Sequence, residues 1–227
     1  MKRYIINGPN KAVKGEVDIS GAKNSCLPLM AASILFKNKV TLKNVPFVKD
    51  VYTMMNLLIS LGSKVDFSEA KKKMTITNKK NHKLVVPYNL VSTMRAGVLT
   101  MGPLLSRYPH KNIQVSLGGG CLIGQRLQNY HLAGFKSLGA LNYLEKGYIN
   151  ISSKKGLTGS KYKFPKVTVT GSSNVIMASI FAKGIHYIKN ISIEPEVIDL
   201  INFLNNSGAD IKFIGRRSIV IKGVKEL

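Results

Sequence analysis

The segment Ser20-Gly21-Ala22-Lys23-Asn24 stands directly before an apolar helical run and is the first candidate for chemistry. A helix N-terminus offers N–H groups and the positive end of the helix dipole, both suited to phosphate or carboxylate. Gly21 lets a ligand approach the backbone, and Lys23 adds a point charge. Taken alone, the same residues read rather as a capped helix start with a solvated lysine. The second candidate is Leu117-Gly118-Gly119-Gly120-Cys121-Leu122-Ile123-Gly124-Gln125-Arg126, between an expected strand and an expected helix. There Cys121 would feel the next helix dipole and Arg126, both of which lower a thiol pKa. An anionic ligand beside it would push that pKa back up, which a general acid needs. Cys26, among Leu27, Leu29 and Met30, reads as inert core. Arg95 is an isolated cation at the head of an apolar helix, and Lys166 precedes another Gly/Ser-rich helix start, Gly171-Ser172-Ser173. His131 reads as a capping or core histidine. No His/Cys spacing for a metal occurs, nor a Gly-rich phosphate loop of either common type, so no metal and no cofactor is expected.

The chain that must position these residues has 227 residues, with 34 Lys plus Arg against 11 Asp plus Glu, a net charge of +23. Hydrophobic residues make up 44%, which excludes disorder as the main state. The length suits one or two domains and needs no disulfide staple. No apolar run reaches the length of a membrane span, and Met1-Lys2-Arg3-Tyr4 leads into too short an apolar stretch for a secretory signal. Cys26 and Cys121 lie far apart. The expectation is reduced thiols in a cytoplasm, with no membrane partner. The charge raises nucleic acid as a partner. The lysines, however, are spread along the whole chain among Asn and Ile, without a basic stripe interleaved with aromatics, so that reading is disfavoured. Steering of anionic substrates is the better use of the charge.

Three stretches end alike, at Leu61-Gly62, Leu138-Gly139 and Ser207-Gly208. Each is a helical apolar pattern stopped by Gly, which serves as a helix C-cap. Alternation after each stop predicts strand pairs over 64–67 with 74–77, 141–144 with 148–152, and 211–214 with 218–222. A second helix is expected upstream of each, over 24–36, 92–107 and 173–183. Between the two helices lies one more strand, at 40–42, 113–115 and 185–188. Residues 69–83 read as a basic, solvated hairpin or loop. The unit is helix, strand, helix, strand, strand at a spacing of roughly 70 residues, longer than solenoid repeats. Three such units would pack amphipathic helices inside and sheets outside.

Taken in order, Gly21-Ala22-Lys23-Asn24, Thr93-Met94-Arg95-Ala96, Gly119-Gly120-Cys121-Leu122-Ile123-Gly124-Gln125-Arg126 and Glu194-Pro195-Glu196 resemble the enolpyruvyl transferase family, in particular its MurA group. Those enzymes are UDP-N-acetylglucosamine 1-carboxyvinyltransferases. The resemblance runs from Tyr4 to the last residue, and the Cys loop followed by Arg separates this group from EPSP synthases. It implies an inside-out α/β domain of three helix-strand-helix-strand-strand repeats, EPSP synthase-like. It also implies transfer of the enolpyruvyl group of phosphoenolpyruvate to the 3-hydroxyl of UDP-N-acetylglucosamine, the first committed step of peptidoglycan synthesis. By that resemblance Lys23, Asn24 and Arg126 would contact phosphoenolpyruvate, and Cys121 would deliver a proton to its methylene carbon. Arg95, Arg126, Leu127, Gln128, Asn129, Tyr130, Lys166, Val167, Thr168 and Val169 would bind the sugar nucleotide.

Two departures from the family pattern carry consequences. The family continues from its Arg with Pro-Val-Asp, where this chain reads Leu127-Gln128-Asn129-Tyr130 and lacks the carboxylate. The chain also has about half the family's length. Residues 22–227 would form the three-repeat domain, and residues 1–21 a strand segment that pairs within a second domain. The expectation is that residues 4–7 and 16–19 lack partners and expose apolar side chains. Half of a closing clamp should bind weakly and turn over negligibly by itself, unless a separately encoded second domain completes it. A degraded, inactive remnant is the alternative.

Overall fold

Local rules repeat three times in the computed structural model. It describes the chain apart from residues 1, 2, 4, 6, 9–11, 13, 92–94 and 117–128 and the side chains of residues 95 and 96. Helix α2 (Lys49–Leu61) buries Val51, Met54, Leu57, Leu58 and Leu61, the spacing of a single helical stripe. It stops where Gly62 takes φ 107°. The Ser63 N–H then donates to Leu58 O at 3.0 Å, and the Gly62 N–H to Ile59 O at 2.9 Å. These paired bonds satisfy the last helical carbonyls in a Schellman ending. The same two bonds recur at Gly139 (φ 88°) after α5 (Asn129–Ser137), and at Gly208 (φ 104°) after α7 (Pro195–Asn205). These are the glycines that the sequence marks as helix stops.

Each stop feeds an antiparallel hairpin: β2 (Lys64–Ser68) with β3 (Lys73–Thr77), β6 (Leu141–Glu145) with β7 (Tyr148–Ser152), and β10 (Asp210–Gly215) with β11 (Ser218–Lys222). The returning strand pairs in turn with the strand between the two helices: β1 (Val40–Lys43), β5 (Ile113–Ser116) or β9 (Ile185–Lys189). The basic stretch 69–83 therefore begins as the hairpin turn and continues into β3.

Two strands add to the expected pattern. Strands β4 (Val85–Val86) and β8 (Lys161–Lys163) pair in parallel with β5 and β9. At two and three residues they are too short to show alternation. The sheets therefore run β4-β5-β7-β6, β10-β11-β9-β8 and β1-β3-β2. The second and third units each gain a leading strand over the helix-strand-helix-strand-strand unit, and the first sheet has none among the described residues. The stretch that would precede its helix is exposed instead, with Val17 and Ile19 each 82% accessible.

The helices occupy the interior. Helix α6 (Val169–Ser179) is buried at every residue from Gly171 to Ser179, the all-round burial of a central helix. It packs against α4 (Met101–Arg107), α5 and α7, while α1 (Lys23–Ala32) packs against α2 and α7. Strand β9 alternates exposed and buried residues, so its sheet turns one face to the helices and the other to solvent.

Three helix boundaries differ from expectation: the first helix, expected over 24–36, ends at Ala32 and passes into a 3₁₀ turn over Ser33–Leu35. The stretch 92–107 is not one helix: α3 (Tyr88–Val91) precedes it, Arg95–Thr100 form a tighter 3₁₀ turn, and α4 begins at Met101. Gly97 and the Gly102-Pro103 pair weaken a continuous helix there. Helix α6 starts at Val169 rather than 173 and ends at Ser179 rather than 183. Its Gly171-Ser172-Ser173 start looks loop-like, yet the Ser172 and Ser173 hydroxyls donate back to Thr168 O and Val169 O at 2.6 and 3.1 Å. Small side chains then let neighbouring helices close in.

A polar clamp fixes the far end of this helical core. The Arg107 guanidinium donates to the Ile34 and Phe36 carbonyls at 2.5 and 2.8 Å. Buried His82 lies between Tyr108 Oη (2.8 Å from Nδ1) and Asn78 Oδ1 (3.1 Å from Nε2). Burial first, and the Arg107 charge second, hold its imidazole down at about 4.

Candidate functional site

The first turn of α1 is built to leave donors available. Its cap residue, Ala22, has no side-chain acceptor, and the first intrahelical bond is Cys26 N–H to Ala22 O at 2.9 Å. The N–H groups of Lys23, Asn24 and Ser25 are therefore turned to whatever lies beyond the helix end. Gly21 brings the chain hard against Asn44, which follows β1 with φ 54°. A Cβ at position 21 would sit 1.9 Å from Asn44 O, so only glycine permits this approach.

Lys23 does not project freely. Its Nζ lies 2.9 Å from Asp50 Oδ2, with the two side chains 46% and 35% exposed. Asp50 sits in the first turn of α2, where the helix dipole favours a carboxylate. The N-terminal ends of α1 and α2 thus meet across an ion pair. Asn24 is exposed beside it. An anion arriving at the α1 N-terminus would compete with Asp50 for the Lys23 ammonium.

The segment Lys166–Val169 leads into α6. Lys166 and Val167 are exposed, and Thr168 caps the helix by accepting from the Gly171 N–H at 3.3 Å. Asn129 and Tyr130 open α5, and Tyr162 on β8 donates its hydroxyl to Tyr130 O at 2.9 Å. The 129–130 and 166–169 segments thus lead into two helices, α5 and α6, that pack against each other. Arg95 heads the 3₁₀ turn that packs against both α1 and α6. Cys121, Arg126, Leu127 and Gln128 lie outside the described residues, as does the side chain of Arg95.

Cys26 is buried among apolar neighbours, and that burial pushes its thiol up to about 12. It is the core cysteine the sequence suggests. His131 is also core: it is 5% exposed, and burial lowers its imidazole to about 4. Its Nδ1 lies 2.8 Å from Asn174 Nδ2.

Two residues of this region escape a sequence reading. Asp50 could have been found only as a rare acid in the first turn of an amphipathic helix. Asn174 could have been found as a lone amide within an apolar helix. A surface depression lined by Gly139, Leu141, Lys154, Lys155, Gly156 and Thr158 lies at the C-terminal end of α5, the end away from Asn129, and no candidate residue lines it.

Residues 8–227 match the family EPSP synthase (3-phosphoshikimate 1-carboxyvinyltransferase). Among curated relatives, the whole chain is 44% identical to a UDP-N-acetylglucosamine 1-carboxyvinyltransferase of Pelagibacter ubique, covering 53% of that protein. It is 45% identical to the protein of the same name from Magnetococcus marinus, again over the whole chain and 53% of the relative. The chain thus spans about half the length of the curated relatives it matches. Among solved structures, the enolpyruvyl transferase NikO from Streptomyces tendae superposes with a TM-score of 0.79 at 17% identity, over 95% of this chain and 49% of that one. An EPSP synthase from Acinetobacter baumannii does so with a TM-score of 0.73 at 17% identity, over 96% and 49%. At that identity the structures establish a shared fold alone.

Proposed function

The chain belongs to the EPSP synthase family, and from that membership we propose that it acts in enolpyruvyl transfer from phosphoenolpyruvate to the 3-hydroxyl of UDP-N-acetylglucosamine, within peptidoglycan synthesis. The observation that carries this reading is the 44% identity to a protein named for that reaction along all 227 residues of the chain. The uncapped first turn of α1, with Lys23 beside it, supports the anion-binding part.

In this reading Lys23 and Asn24 take the phosphoenolpyruvate anion at the α1 N-terminus, joined by Arg126. Lys23 exchanges Asp50 for phosphate or carboxylate oxygens. Arg95, Arg126 to Tyr130, and Lys166 to Val169 hold the sugar nucleotide. Cys121 gives its proton to the methylene carbon while the sugar oxygen bonds to the adjacent enol carbon and its hydroxyl proton passes to a carboxylate base of the second domain. Loss of phosphate, and of one methyl proton back to the Cys121 thiolate, then restores the double bond and leaves the enolpyruvyl ether. A second domain, encoded separately or otherwise supplied, closes over the site and excludes water. The active protein works in the cytoplasm, where both substrates are expected.

The test is to mix this chain with the C-terminal half of one of its named relatives and follow phosphate release from the two substrates. Release that appears only when both halves are present supports the assignment. No release at saturating concentrations, with no binding of UDP-N-acetylglucosamine to the chain, overturns it in favour of an inactive remnant.

A further inference from the structure

Asn174 is fully buried, and its amide bonds to three other elements at once. Its Oδ1 accepts from the Gly102 N–H at 2.9 Å, and its Nδ2 donates to Val98 O at 2.9 Å. A backbone N–H can only donate and a carbonyl can only accept, so the amide has one allowed orientation. The second Nδ2 proton then points at His131 Nδ1, 2.8 Å away. That nitrogen must present its lone pair, which puts the ring proton on Nε2 and leaves the imidazole neutral. Gly102 makes the approach possible, since a Cβ there would lie 2.3 Å from Asn174 O.

The partners of this amide are not scattered. Val98 belongs to the turn headed by Arg95, and Gly102 to α4. His131 directly follows Asn129 and Tyr130 at the start of α5, and Asn174 belongs to the helix that Lys166–Val169 lead into. One buried amide therefore joins every described element that carries a proposed nucleotide contact. Resting on the functional reading above, we propose that Asn174 is a positioning residue for the nucleotide site. It fixes the three binding segments relative to one another, and does so only while His131 is neutral with its proton on Nε2.

Protonating Nδ1 would set an N–H against the Asn174 N–H. Among the described residues, burial alone governs its proton, and no opposing charge is set against it. Helix α6 carries no titratable residue, α4 carries only Arg107 at its far end, β8 carries the exposed Lys161 and Lys163 and Tyr162, which already donates to Tyr130 O, and β6 carries exposed Tyr143 and exposed Glu145. On its own helix His131 has Tyr130 and Lys136, and Arg95 heads the adjoining turn.

The experiment is ¹⁵N-resolved NMR of the whole chain, paired with binding of UDP-N-acetylglucosamine and, separately, phosphoenolpyruvate. In the unaltered protein, His131 Nδ1 should read as unprotonated and Nε2 as protonated from about pH 8 down to about pH 5. In Asn174→Asp the carboxylate keeps the Gly102 bond but faces Nδ1 as an acceptor. The His131 pKa should then rise above its ordinary value, and the amides of Val98, Asn129, Tyr130 and Thr168 should shift together with that titration. Asn174→Leu should weaken the nucleotide by about tenfold or more, while phosphoenolpyruvate, held from α1, changes by less than about threefold. A proton on Nδ1 in the unaltered protein, or three segments unmoved by the titration in N174D, overturns the proposal. If the unaltered chain binds no nucleotide, the functional reading fails while the NMR still decides the coupling. If N174L does not fold, the unaltered protein and N174D are sufficient.

Discussion

Lowering the pH from 7 to 5 should cost the fold about 4 kcal/mol, and two buried histidines set that figure. His82 and His131 are each 7% exposed or less, and each is held at about 4 against an ordinary value of 6.5. Both are held neutral by the native state. The unfolded chain therefore binds more protons between about 4 and 6.5, and stability rises with pH across that window. The contribution is fully present above 6.5 and is lost as the pH falls toward 4. At pH 5 each site costs about 2 kcal/mol relative to pH 7. His186 is shifted in the same direction, by burial, and adds to the loss. The Glu226 carboxylate, held low by its hydrogen bond to Lys37, contributes in the other regime: its stabilisation is present above the usual carboxylate value and is lost only below it. Urea unfolding at pH 7, 6 and 5 measures this directly. For a chain of this size the midpoint should fall by more than about 1 M between pH 7 and 5. An unchanged midpoint, or an equal fall in a His82→Gln, His131→Gln double variant that still folds, would refute the reasoning.

Gly21→Ala should destabilise by about 1–3 kcal/mol, because its Cβ would fall 1.9 Å from Asn44 O and the chain must move; thermal unfolding of the variant checks this. Lys23→Ala should change stability by less than about 1 kcal/mol, since its ion pair with Asp50 is half-exposed. The same change should weaken phosphoenolpyruvate by about tenfold or more, and calorimetry that finds equal affinity would remove Lys23 from the site. Cys26, pushed up to about 12 and buried, should resist a thiol reagent at pH 8 in the native chain. Mass mapping should then find Cys26 unlabelled before denaturation and labelled after it.

What the sequence revealed and what it hid divide along the reach of the interactions. The stops at Gly62, Gly139 and Gly208 were legible because a left-handed C-cap is a local demand that only a few residue types meet. The hairpins followed because β-alternation over four or five residues leaves a pattern. Strands β4 and β8 left none: Val85–Val86 and Lys161–Lys163 are strands because β5 and β9 lie beside them. The site divides the same way. Gly21 and Lys23 announce themselves at a helix start, whereas Asp50 matters only because α2 ends its approach beside α1. Asn174 is the extreme case. Its three partners lie 43, 72 and 76 residues away in sequence, so no spacing rule could find it. An apolar residue of that shape would cost the helix less by propensity. The amide's presence in the interior is explained once the chain has folded, when a fixed donor, a fixed acceptor and one neutral histidine leave it a single satisfied orientation.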